Sequence, residues 1–93
     1  MPKYLIERTV PGAGQMDAAA RRAIAAESNA VLRDLGPDIQ WVNSYVSDDR
    51  ITCVYYATNE EIIREHGRRG GFPVDEILHV AATIDPTTAE VVA

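Results

Sequence analysis

Ile39-Gln40-Trp41-Val42-Asn43-Ser44-Tyr45-Val46-Ser47-Asp48-Asp49-Arg50-Ile51-Thr52-Cys53-Val54-Tyr55-Tyr56-Ala57 is the stretch that decides the fold. Two runs rich in β-branched and aromatic residues, 39–47 and 51–57, flank a short polar turn at Ser47-Asp48-Asp49-Arg50. So short a link makes the two strands neighbours and antiparallel. The second run is apolar on both faces, which predicts a central strand covered on both sides. Along the first run, strict alternation puts Ile39, Trp41, Asn43 and Tyr45 on one face and Val42, Ser44 and Val46 on the other. Tyr55 and Tyr56 point to opposite faces for the same reason.

Working outward from this hairpin, Gly36-Pro37 stops whatever precedes it, since glycine tolerates positive φ and proline cannot continue a helix. Upstream lies an alanine-rich helical stretch beginning after Asp17, a good N-cap residue. Its Ile24, Ser28, Val31, Leu32 and Leu35 fall on one face. Before it, Pro11-Gly12-Ala13-Gly14 ends a strand over Lys3 to Thr9, in which charges flank Tyr4, Leu5 and Ile6. Downstream of the hairpin, Thr58 or Asn59 caps a second helix running to about Arg69, with Glu60 and Glu61 complementing its dipole. Gly70-Gly71-Phe72-Pro73 terminates it. Glu76 to Ile84 predicts a fourth strand with Leu78, Val80, Ala82 and Ile84 on one face; if that face meets the helices, Ile77, His79, Ala81 and Thr83 point away from them.

The order β-α-β-β-α-β predicts a ferredoxin-like α+β sandwich: a four-stranded antiparallel sheet of order 4-1-3-2 with both helices on one side. The 93 residues are expected to form a single domain, 1–93, with about 86–93 a fraying tail. Both sheet faces carry apolar and aromatic residues, so a second copy stacked on the open face is expected, giving a homodimer. The alternative is a monomer with a partly apolar exposed sheet. A chain this short buries only about two-thirds of its unfolded surface. Its one cysteine permits no internal disulfide.

A net charge of −5 argues against a nucleic-acid partner, because phosphate binding needs a basic surface. The dense basic run His66-Gly67-Arg68-Arg69 sits at a helix end, where it complements the dipole. No apolar run is long enough to span a bilayer, so no membrane partner is expected. A lone unpaired cysteine and an N-terminus without signal-peptide architecture point to the cytoplasm.

Chemistry rests on few residues: Glu7, Ser44, Tyr45, Cys53, His66, His79 and the turn holding Phe72. There is no CxxC, HExxH, Walker loop or GxGxxG, so no motif assigns an enzyme activity. Cys53 reads as a small buried hydrophobe, or as a metal ligand or nucleophile if a cation lies beside it. His66 shares the helix face of Ile62 and Ile63, which leaves it a core histidine, a ligand or a general base. His79 is expected at a subunit interface or the surface. Trp41, Tyr45, Tyr55 and Phe72 are the candidate lining of a small-ligand pocket, with core or interface packing as the alternative.

The pattern Pro2…Pro11-Gly12, Trp41…Ser44-Tyr45-Val46, Cys53-Val54-Tyr55, Glu61…His66 and Gly71-Phe72-Pro73-Val74-Asp75-Glu76-Ile77 covers nearly the whole chain. It resembles a family of short bacterial proteins of unknown function that includes a streptomycete nickel-binding protein. The resemblance implies a small ferredoxin-like dimer. For the nickel-binding branch it implies a histidine on the first strand and two at the end of the second helix. Here Glu7 stands at the first-strand position, and the helix pair is reduced to His66, with Gly70 in place of the second histidine. Metal ligation therefore carries over to His66, with Glu7 and Cys53, and not to Gly70. Loss of imidazoles weakens a nickel site. The expected function is a dimeric binding protein that holds a divalent metal such as nickel, or a small ligand, near the second helix. The alternatives are a dimeric α+β-barrel enzyme, of cofactor-free oxygenase or isomerase type, using His66 to move a proton, and a structural or regulatory dimer.

Overall fold

The structure, a computed structural model, describes residues 1–90. Strands β1 (Lys3–Thr9), β2 (Ile39–Val46), β3 (Arg50–Ala57) and β4 (Glu76–His79) form one antiparallel sheet in the order β2-β3-β1-β4. Helices α1 (Ala18–Leu35) and α2 (Glu60–Gly70) connect them. This is the predicted β-α-β-β-α-β sandwich, with sheet order 4-1-3-2. Both helices start where capping chemistry places them. Asp17 accepts the Ala20 amide at 2.8 Å, and Asn59, rather than Thr58, accepts the Ile62 amide at 3.1 Å. Gly71 ends α2 at φ 71°, a conformation side chains disfavour.

The core lies between the sheet and the helices. Tyr4 and Ile6 of β1, Ile39 of β2, Ile51, Cys53, Tyr55 and Ala57 of β3, and Ile63 of α2 are buried there. Gly67 lets α2 come close to the chain after it. A Cβ on Gly67 would stand 2.8 Å from Val74 Cγ2 and 3.1 Å from the Phe72 carbonyl oxygen. The loop after β1 docks on the β2–β3 turn: the Val10 amide donates to the Asp49 carbonyl and the Gly14 amide to the Asp48 carbonyl, each at 2.9 Å. The Gly12-Ala13-Gly14 stretch and the Asp48-Asp49 turn thus serve each other structurally.

Two expectations about facing are corrected. The first concerns β2. Trp41 pairs with Tyr55 but Asn43 pairs with Val54, so the register slips by one residue at a β-bulge around Val42. A bulge absorbs an extra residue and resets the alternation beyond it. Trp41, Ser44 and Val46, opposite Tyr55, Cys53 and Ile51, therefore face the helices, while Asn43 and Tyr45, opposite Val54 and Thr52, face away. Trp41 and Tyr45 do not share a face. The second concerns β4. Ile77 pairs with the fully buried Ile6, and His79 lies edge-on to Tyr4 with ring centroids 5.4 Å apart. These two residues face the helix side, and Leu78, opposite Leu5, faces away.

The fourth strand is also shorter than the 76–84 expected. Its last sheet contact is the Val80 amide on the Lys3 carbonyl at 2.9 Å. β1 starts at Lys3, so β4 has no partner strand beyond this point. Beyond it, Asp85 caps a 3-10 turn over Pro86–Ala89 through the Thr87 amide. Residues 91–93 of the expected tail lie outside the described residues.

Candidate functional site

The inward register of β1 runs Tyr4, Ile6, Arg8. A strand that buries two apolar residues at period two carries the third position inward whatever its chemistry. Arg8 is consequently only 4% exposed. Its Nε donates to Cys53 Sγ at 3.3 Å and its Nη1 to the Pro73 carbonyl at 2.6 Å. Its guanidinium lies 5.8 Å from the Phe72 ring centroid. Among the described residues the ion pairs join Glu7 to Arg50 and Glu65 to Arg68 and Arg69, and Arg8 takes part in none.

Beside Arg8 opens a cleft of about 590 Å³. It exists because α1 is seated only along its C-terminal half. Ser28 is buried and Leu32 and Leu35 pack on the core, but Ile24, one turn before Ser28, is 37% exposed and lines the cleft instead. Trp41, Ser44, Cys53 and Tyr55 form the sheet wall, and Gly70, Gly71, Phe72 and Pro73 close one end. The Trp41 indole donates to Ser44 Oγ at 3.0 Å, which fixes both side chains at the wall. Of the four expected pocket residues, Trp41, Tyr55 and Phe72 meet here. Tyr45 does not: the bulge puts it on the opposite face, where its hydroxyl accepts from Asn43 Nδ2 at 3.1 Å.

His66 is fully buried and does not line the cleft. Its ring is flanked by Tyr55 and Phe72, each at 5.4 Å between centroids, and its Nε2 lies 3.0 Å from Ser28 Oγ. Its buried Nδ1 has no hydrogen-bond partner among the described residues. Burial, reinforced by the positive charge of Arg8, lowers its pKa from 6.5 to about 4, so it stands neutral at physiological pH. Burial likewise pushes the Tyr55 phenol above its ordinary value, with Cys53 adding to the push and Arg8 and Ser28 opposing it.

The three residues expected to hold a metal are not assembled. Glu7 pairs with Thr52 across the sheet, on the face away from His66 and Cys53, because adjacent residues of a strand point oppositely. Its carboxylate accepts from Thr52 Oγ1 at 3.0 Å. Cys53 accepts from a guanidinium, and that cation opposes a second positive charge beside it. Gly70, where the second helical histidine would fall, touches the Phe72 ring so closely that a Cβ there would overlap it. Among the described residues no three metal-binding side chains cluster. The residues present do not fit a bound transition metal. The basic helix end is accounted for by Glu65, which accepts from Arg68 and, at 2.7 Å, from Arg69.

A family model described as "Nickel responsive protein SCO4226-like" matches residues 4–80. The chain belongs to the SCO4226-like family. This confirms the resemblance read from the sequence. The crystal structure of SCO4226 from Streptomyces coelicolor A3(2) shares the fold, with a TM-score of 0.74 over 88% of this chain and 99% of that one. The two are 15% identical, so the likeness bears on architecture alone. No curated protein matches this chain. Within the SCO4226-like frame, Arg8 is the residue the sequence reading missed. Its signal was the alternation Tyr4, Ile6, Arg8 itself, an obligately charged side chain on the inward register of a strand.

Proposed function

We propose that this member of the SCO4226-like family is a small-ligand-binding protein that acts as a homodimer. The cleft between α1 and the sheet is its binding site. The carrying observation is that cleft: about 590 Å³, walled by Trp41, Tyr55 and Phe72, with Arg8, Ser28 and Ser44 among its few polar lining residues. Ligand sites occupy about 300–1,000 Å³ and combine aromatic walls with sparse, fixed polar groups. Leu5, Val54, Tyr56, Tyr45 and Leu78 on the open sheet face support the dimer.

Trp41 is the one tryptophan of the chain and lines the cleft, so its fluorescence reports occupancy. Titration with n-octanol should give a saturable change in emission. Ala25→Phe, which fills the cleft from α1, should abolish it. If neither n-octanol nor octanoate produces a saturable change in the wild type, the cleft is not the site.

The nickel response named for the family would rest here on His66 alone. Calorimetric titration with Ni²⁺ should give no heat that differs between wild type and His66→Ala. A stoichiometric exothermic signal lost in His66→Ala would reinstate the metal.

A further inference from the structure

Arg8 is a cation held inside the molecule that forms no ion pair among the described residues, although Asp75, whose carboxyl is held below its ordinary range chiefly by hydrogen bonds from Thr9, is close enough for Arg8 to add to that effect. Taking a guanidinium out of water costs free energy that a carboxylate ordinarily offsets. A guanidinium has five N–H donors. Two are engaged here, one by Cys53 Sγ and one by the Pro73 carbonyl, and the group is one of the cleft's lining residues. Those two bonds, with the Phe72 ring, fix its plane before any ligand arrives. Exposed Arg21 and Glu27 also line the cleft, so its charged side chains sum to a positive site in a chain whose net charge is −5.

We propose that the natural ligand of the cleft is an apolar monocarboxylic acid whose carboxylate pairs with Arg8 and whose hydrocarbon body lies against Trp41, Tyr55 and Phe72. This rests on the cleft being the binding site, and it names the class of ligand. The chemistry selects a carboxylate over a phosphate. A single planar fork matches the two oxygens of a carboxylate, whereas a dianion buried beside Arg8 would meet one buried cation, since Arg21 is exposed and donates to the Met16 carbonyl at 2.7 Å. Phe72, Ile24 and the Trp41 indole, whose N–H is already taken by Ser44 Oγ, disfavour a highly polar body, because they supply few partners for its hydroxyls.

The experiment compares octanoate with n-octanol, which share their chain and differ in charge, by Trp41 fluorescence at neutral pH. Wild type should bind octanoate roughly tenfold or more tightly than n-octanol, as a charge-assisted pair requires. In Arg8→Gln the preference should disappear while n-octanol still binds. Arg8→Lys, which keeps the charge but not the fork, should retain part of it and serves if Arg8→Gln does not fold, as circular dichroism would show. Equal affinity of the wild type for the two probes, or tighter n-octanol, overturns the carboxylate and leaves the cleft standing as a site. Silence from both probes overturns the two together. A preference that survives intact in both Arg8 variants also overturns the role given to Arg8.

Discussion

His66 and Arg8 are buried polar residues handled in opposite ways. His66 escapes the cost of burial by staying neutral, its pKa lowered from 6.5 to about 4 by its surroundings and by the Arg8 charge. Arg8 is held instead by hydrogen bonds and an aromatic face. The histidine makes stability depend on pH. Its folded pKa lies below its unfolded one, so the unfolded chain takes up the proton first. The contribution is complete above about 6.5 and is lost as pH falls toward about 4, a difference on the order of 3 kcal/mol. Urea denaturation of wild type at steps between pH 7 and 4.5 should show that decline, and His66→Gln should flatten it. Equal slopes in the two proteins would show that the histidine is already charged in the fold. The buried Nδ1 without a partner is consistent with this neutral state, since protonation there would add a second buried donor.

At the scale of elements, the cleft is made by two local decisions. One is the bulge at Val42, which turns Ser44 rather than Asn43 inward and sets it beneath the Trp41 indole. The other is the Gly70-Gly71 end of α2, which lets Phe72 fold back on the helix. Gly70→Ala would place a methyl group in the Phe72 ring. The ring would have to leave His66 and Arg8, with an overpacking cost of about 1–3 kcal/mol, only partly offset by the better helix propensity of alanine. The expected outcome is a lower urea midpoint together with weaker probe binding reported by Trp41. Unchanged values of both would mean that Phe72 does not form a fixed wall. The same contact explains why a histidine at position 70 is incompatible with this packing. The space a second imidazole would need is filled by an aromatic ring.

For the molecule as a whole, the sheet has one face under the helices and one that no element among the described residues covers. Tyr45, Leu78 and Val42 are exposed on or beside the open face, with Leu5, Val54 and Tyr56 half-buried among them. Apolar surface of this kind favours association. Size-exclusion chromatography with light scattering should return twice the chain mass for wild type. Leu78→Lys combined with Tyr45→Lys should shift it to the single-chain mass, since facing copies would bury like charges. A single-chain mass for the wild type over a wide range of concentrations would end the dimer.

The element order, both helix caps, the antiparallel hairpin and the central place of β3 were all legible in the sequence. The caps and the hairpin depend on interactions between residues near one another along the chain, Asp17 with Ala20, Asn59 with Ile62 and a four-residue turn between two apolar runs, while the place of β3 was legible because a strand apolar on both faces must be covered on both. The burial of His66 was half legible, from its spacing to Ile62 and Ile63. Facing on β2 was not, because a bulge depends on which residue of the neighbouring strand each one meets, and period-two reading cannot see one extra residue. The length of β4 was decided by where β1 begins, and the separation of Glu7 from His66 and Cys53 by the sheet lying between them. Arg8 shows the division most clearly. Alternation with Tyr4 and Ile6 was enough to turn it inward, but only packing against Cys53, Phe72 and Pro73, which are brought to it from far along the chain, made it a buried cation at the wall of a cleft.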